Sequence, residues 1–197
     1  CRQMNGRLES QCKDTKNNSM AEKKNAISYE SIMKDLKARK FAPVYVLMGD
    51  EPFYIDKICD YIAENVLQPE ERDFNQTVLF GADTTAVQVV DQCKGYPMMA
   101  EFRVVIVKEA QNLKSLDALE KYLEKPVKST VLVICNKNGS IDRRKKFIPR
   151  AEQVGVVFES KKLYDRQLPG FIETYLKARK ATIEPKAVQM VADHIGA

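Results

Sequence analysis

The sequence is poor in side chains that commonly hold metals or carry out covalent catalysis. Among 197 residues the only histidine is His194. The cysteines contain no CxxC pair; they are Cys1, Cys12, Cys59, Cys93 and Cys135. These features argue against a zinc site and against His–Ser or His–Cys catalysis. Because three of the cysteines (59, 93 and 135) lie in apolar patterns, we expect buried, reduced thiols and a cytoplasmic protein.

The sequence also lacks long apolar runs. None approaches the roughly 20 residues that a membrane-spanning helix needs, so no membrane partner is expected. With 44% hydrophobic and 30% charged residues, the chain suits one or two globular domains. Residues 1–19 are polar and show no periodicity. We expect this segment to be disordered or foreign to the natural protein, since Met20 resembles a natural start.

A third absence is the phosphate-loop ending G-K-[ST], which occurs nowhere in the chain. The position where such a loop belongs is nevertheless present. Residues 44–48 form an apolar run typical of a strand buried on both faces, Gly49 supplies a turn, and Pro52 suits the first turn of a helix. This order, strand–glycine–helix, is where nucleotide-binding chains hold phosphate.

The residues that would contact phosphate have been replaced. Counted from Gly49, the second glycine of the loop corresponds to Tyr54 and the lysine to Ile55, while Asp56 stands at the Ser/Thr position. A phosphate loop needs backbone N–H groups and a lysine facing the anion. The sequence therefore predicts the scaffold of the loop without its chemistry.

Strand-like and helix-like patterns alternate along the chain. Predicted strands cover residues 44–48, 74–80, 103–107, 130–135 and 154–158, with amphipathic helices between them. This alternation predicts an α/β fold, with a parallel five-stranded sheet flanked by helices on both faces. After Lys162 only helical patterns occur, including one apolar face from Leu168 to Leu176.

Two further strand ends support a common origin for these features. Lys108 follows the strand at 104–107, where a magnesium-binding aspartate would stand, and Asn136 follows the strand at 131–135, as a polar sensor residue would. Broken motifs in this order, followed by an all-helical segment, resemble a degenerate AAA+ core.

Within the AAA+ superfamily the sequence resembles the delta subunits of bacterial DNA polymerase III clamp loaders. The resemblance covers residues 28–197, and its most specific parts are residues 45–53 and 93–107. It implies an AAA+-like domain at 20–161 without functional nucleotide motifs, and the beginning of a helical lid domain at 162–197. The family's collar domain would lie beyond Ala197. It also implies that the chain binds no cofactor or metal and has no catalytic activity by itself, and that it is part of the DNA polymerase III holoenzyme.

The resemblance further implies partners and a binding site. Delta subunits bind the sliding clamp (the beta subunit) and help to open it, contact other clamp-loader subunits, and meet DNA through the assembled complex. They insert two adjacent apolar side chains into a pocket on the clamp. The matching residues are Met98 and Met99, after Pro97. Neither is aromatic, a departure from the Leu-Phe-like pair usual in the family. Methionine is deformable enough to fill such a pocket. The alternative is that both methionines belong to the core.

Two other functions are consistent with parts of the sequence. One is a divergent P-loop ATPase or nucleotide kinase, which the missing G-K-[ST] disfavours. The other is a basic nucleic-acid-binding module built on residues 143–146, with Lys137 and Arg150 nearby. Aromatic residues are not interleaved with these charges, so base stacking is not indicated. The simpler interpretation of the basic residues is a solvated face of a short helix.

Overall fold

The computed structural model describes residues 27–162 and 165–195. Within them lie five parallel strands and eight α-helices. The strands are β1 Val44–Gly49, β2 Gln76–Phe80, β3 Arg103–Lys108, β4 Thr130–Lys137 and β5 Val156–Ser160. The helices are α1 Tyr29–Lys37, α2 Pro52–Asn65, α3 Arg72–Asn75, α4 Ala86–Lys94, α5 Asp117–Tyr122, α6 Phe147–Val154, α7 Leu168–Ala178 and α8 Pro185–Ile195.

The sheet has the order β2-β3-β4-β1-β5, so β1 lies between β4 and β5 and the edge strands are β2 and β5. All four pairings are parallel. Parallel strands need crossover connections, and the helices between them supply these connections and cover the faces of the sheet. The predicted five-stranded α/β fold with helices on both faces is confirmed.

Two hydrophobic clusters lie on opposite faces of the sheet. Alternate residues of β1 contribute to each: Val46 and Met48 pack in the cluster that includes α4, α5 and α6. Tyr45 and Leu47 pack in the cluster that includes α1 and α2. Since successive strand side chains point to opposite faces, a strand covered on both faces must be apolar throughout. This explains the unbroken apolar run at 44–48.

Two predicted strand starts and one predicted helix are wrong. The second strand begins at Gln76 rather than Phe74, because Arg72–Asn75 forms a helical turn. The fifth strand begins at Val156, because α6 continues through Val154. The basic residues 143–146 do not lie on a helix; they occupy the turns that precede α6.

The start of α2 follows the sequence prediction closely. Pro52 occupies the first helical position, and the N-cap Glu51 accepts a hydrogen bond from the Phe53 N–H at 3.1 Å. No helix within 27–162 and 165–195 is long and apolar enough to cross a membrane. The expectation for residues 1–19, including Cys1 and Cys12, falls outside the described residues.

Candidate functional site

The turn after β1 uses its backbone donors internally. The Gly49 N–H donates to the Gly139 carbonyl at 3.0 Å, and the Asp50 N–H donates to the Ser160 carbonyl at 3.1 Å. The Phe53 N–H is taken by the Glu51 side chain. Phosphate binding requires such N–H groups to face the ligand. In this turn three of them already have acceptors within the protein.

The side chains after the turn also make contacts within the protein instead of facing a phosphate position. Ile55, at the lysine position of the loop, is fully buried in the core on the α2 face of the sheet. Asp56 forms an ion pair with Lys137, with 2.6 Å between Lys137 Nζ and Asp56 Oδ1. This hydrogen bond raises the pKa of Lys137. The two residues that align with the lysine and Ser/Thr positions thus serve packing and an internal ion pair.

Asn136, the sensor-like residue, lies at the end of β4 beside Met48 of β1. It is buried, and its Nδ2 donates to the Gly139 carbonyl at 2.9 Å. The same carbonyl accepts the Gly49 N–H. Asn136 therefore helps to hold the residue 139 turn against the end of β1.

An aromatic cluster joins the start of α2 to α7. The Phe53 ring centroid lies 6.5 Å from that of Phe171 and 6.1 Å from that of Tyr175. Tyr54 lies 6.2 Å from Phe171 and 4.9 Å from Tyr29. Edge-to-face and tilted ring pairs at these distances are favourable. Tyr54, at the second glycine position, therefore contributes to packing between α2 and α7.

A second feature is the turn that leaves α4, which we call the tip (residues 95–101). Gly95 ends α4 with φ −63° and ψ 141°. Beyond it Met98 is 59% exposed, Met99 is 101% exposed, and Tyr96 is 85% exposed. Pro97 is partly buried. The interpretation of Met98 and Met99 as core residues is wrong, because the structure places both at the surface.

Comparisons with known proteins identify the family of this chain. Residues 45–161, more than half of the chain, match the family described as DNA polymerase III, delta subunit. The chain belongs to the DNA polymerase III delta subunit family.

A DNA polymerase III subunit delta from Bacillus subtilis (strain 168) is 27% identical over 168 residues, which cover 80% of this chain and 48% of that protein. The solved structure of the Bacillus subtilis DNA clamp loader delta protein matches with a TM-score of 0.71 and 26% identity, over 83% of this chain and 51% of that one. The chain thus spans about half the length of these relatives. The AAA+-like fold expected from the sequence is the fold of this delta family.

Sequence patterns missed one residue at the base of the tip of this delta-family chain. Asn75 is fully buried, accepts the Met98 N–H at 2.6 Å, and donates to the Met98 carbonyl at 2.9 Å. The two residues are 23 positions apart, and Asn75 stood within a predicted strand. The one available signal was an asparagine among apolar and β-branched residues, a pattern too common to identify a contact.

Two of the four basic residues at 143–146 are paired with acids. Arg143 contacts Glu152 and Glu159, with the shorter distance 2.7 Å to Glu159. Arg144 pairs with Asp142 at 2.9 Å. Lys137 is engaged with Asp56, as described above. Lys145 and Lys146 are exposed and form no ion pair with another described residue, so the positive charge of the cluster is only partly neutralised.

The described cysteines are Cys59, Cys93 and Cys135, and all three are free and buried, as predicted. Burial raises the pKa of Cys93 to about 12, against opposing contributions from Arg103 and Tyr122. His194 is exposed near the end of α8. Across 27–162 and 165–195, no group of three or more His, Cys, Asp and Glu side chains is arranged to hold a metal ion.

Proposed function

We propose that the chain is a non-catalytic subunit of a replicative clamp loader, which binds the sliding clamp and helps to open it for loading onto primed DNA. The observation that carries the proposal is the pair Met98 and Met99, adjacent and exposed on the tip of a delta-family fold. A soluble chain rarely leaves neighbouring large apolar side chains in water without a partner surface.

The tip suits insertion into a pocket. Gly95 ends α4 and Arg103 begins β3, so two elements of the α/β core hold its ends. Tyr96, also exposed, adds an aromatic side chain beside the methionines. Aromatic residues and methionine are enriched in the buried centres of interfaces. We therefore assign to Tyr96 the aromatic contact with the clamp that Met98 and Met99 do not provide.

The remaining partners follow from the same role. We infer contacts with other clamp-loader subunits and with DNA through the assembled complex. We also infer a division into an AAA+-like domain at 20–161 and the beginning of a lid domain at 162–197. The aromatic contacts of Phe53 and Tyr54 with Phe171 support a lid that packs on the sheet domain.

The experiment is a titration of the purified 197-residue chain with the sliding clamp encoded by the same genome, followed by light scattering or calorimetry. We expect saturable binding of the clamp that persists without nucleotide. A parallel titration with primed DNA tests the nucleic-acid-binding alternative. Saturable binding to DNA with no binding to the clamp would contradict the proposal.

A further inference from the structure

The base of the tip is held by one buried side chain. Asn75 is the last residue of α3, immediately before β2, and is fully buried. Its Oδ1 accepts the Met98 N–H at 2.6 Å and its Nδ2 donates to the Met98 carbonyl at 2.9 Å. Nδ2 also donates to the Glu71 carbonyl at 3.0 Å. Both polar atoms of this buried amide therefore have partners, as buried polar groups require.

The pairing needs the chemistry of an amide. A carboxamide side chain carries an acceptor and two donors, so it can satisfy the N–H and the C=O of one residue together. An apolar side chain would satisfy neither, and a carboxylate can only accept. The bond to Glu71, four residues earlier, occupies the second amide hydrogen and fixes the orientation of Asn75.

The conformation of the tip indicates what the contact between Asn75 and Met98 does. Met99, directly after the residue that Asn75 holds, has φ +52°, in a region that non-glycine residues seldom occupy. Met99 is fully exposed, so its side chain has little packing to define its direction. Holding a binding loop in its bound conformation reduces the ordering cost of association.

We propose that Asn75 is a positioning residue for the clamp-binding tip. Its side chain fixes the backbone of Met98, so that Met98 and Met99 are presented to the clamp in one arrangement. The proposal rests on the proposed function, because it assumes that the tip contacts the clamp. Its structural half, the holding of Met98, is measurable on the free chain.

The test compares Asn75→Ala with Asn65→Ala in the 197-residue chain. Asn65 is a matched control because it is exposed and its Nδ2 donates only to the local Tyr61 carbonyl. Hydrogen exchange at the Met98 amide should accelerate about tenfold or more in Asn75→Ala, and stay unchanged in Asn65→Ala. Clamp affinity should fall about tenfold in Asn75→Ala and stay unchanged in Asn65→Ala.

A double-mutant cycle separates positioning from a general effect on the fold. In a Met98→Ala/Met99→Ala background, Asn75→Ala should no longer change clamp affinity, because the side chains that it positions are gone. Asn75→Ser is measured in parallel in case Asn75→Ala does not fold, and should also accelerate exchange at Met98.

The outcomes separate the inference from the proposed function. Unchanged exchange at the Met98 amide in the Asn75 variants would overturn the positioning role. An equal loss of affinity with and without the two methionines would do the same. If Met98→Ala/Met99→Ala binds the clamp as tightly as the original chain, the clamp site lies elsewhere. That result would remove the role of Asn75 in binding, whereas the exchange data would still report whether it holds the tip.

Discussion

Lys137 Nζ lies 2.6 Å from Asp56 Oδ1, and this ion pair joins the end of β4 to the first turns of α2. Asp56 occupies the Ser/Thr position of the degenerate phosphate loop. The ammonium group of Lys137 therefore lies beside the turn at which nucleotide-binding proteins hold phosphate. The side chains are 29% and 48% exposed. Exposed pairs typically contribute about 0–1 kcal/mol. The pair therefore matters more for occupying this position than for stability.

Mg-ATP should not bind. The Gly49 and Asp50 N–H groups already donate to carbonyls, and Ile55 is buried where a lysine would be needed. Calorimetry of the chain with Mg-ATP should show no saturable heat. Lys137→Ala should be equally silent, because it leaves those backbone donors engaged. Saturable binding in the micromolar range by the original chain would show that nucleotide uses another site.

Replacing Met98 and Met99 by alanine should weaken clamp binding by about two to four decades, because burial of each methionine contributes roughly 1.5–3 kcal/mol. The melting temperature should change little, since both side chains are exposed. Met190→Ala is the matched control, as Met190 is 64% exposed on α8, away from the tip. Early melting of the double variant with unchanged clamp affinity would contradict the prediction.

Phe171→Ala should loosen α7 from the sheet domain. Phe171 forms ring pairs with Phe53, Tyr54 and Tyr175, and each pair contributes about 0.5–1.5 kcal/mol. We expect faster tryptic cleavage after Lys162 and a fall in the free energy of unfolding of about 1–3 kcal/mol. Phe80→Ala, at a half-exposed site on β2, is the control and should leave this cleavage unchanged. Equal cleavage rates for both variants would mean that the aromatic cluster does not hold α7.

Stability should decrease as pH rises above 9. Burial raises the pKa of Cys93 from 9.0 to about 12 in the folded state. The unfolded thiol therefore loses its proton first, and the stabilising contribution is complete below pH 9 and lost as pH rises toward 12. Cys93→Ala should flatten this part of the stability curve, measured by denaturant titration between pH 8 and 11. An unchanged slope would show that Cys93 does not contribute to it.

The same burial should protect the thiols from reagents. Cys59, Cys93 and Cys135 should react with a thiol probe at neutral pH only after unfolding, because each is buried. Tris-buffered titration in the presence and absence of denaturant measures this difference. Stoichiometric disulfides among these three would contradict both the prediction that the thiols are reduced and the prediction of a cytoplasmic protein.

The sequence predicted the sheet well because its central strands are covered on both faces. Such strands have no polar residues to interrupt the pattern, and β1 and β4 could be recognised from their apolar runs alone. The predicted start of β5 is wrong because tertiary packing overrides the local preference of Val154 for a strand. Val154 suits a strand, but α6 continues through it, and a side chain at Gly155 would come within 2.1 Å of the Val44 carbonyl oxygen.

The site was predictable only in part. Pro97, Met98 and Met99 were predicted as clamp-binding residues through a family resemblance carried by contiguous residues, and the structure shows that both methionines are exposed. Asn75 was not, because its partner Met98 lies 23 residues away and the contact exists only after folding. The ion pair between Asp56 and Lys137 was missed for the same reason. Contacts between distant segments leave no periodic signal in a single sequence.

Gly49 has a φ of +133°, and a Cβ there would lie 1.9 Å from the Ser160 carbonyl oxygen. Its lack of a side chain is thus required by the backbone of β5, whether or not phosphate is present. A chain that has lost nucleotide binding would keep this glycine while its other loop residues are free to change. In scanning genomes for degenerate ATPases, a glycine after the first strand therefore reports the architecture of the sheet, and the residues aligned with Tyr54 and Ile55 report the chemistry.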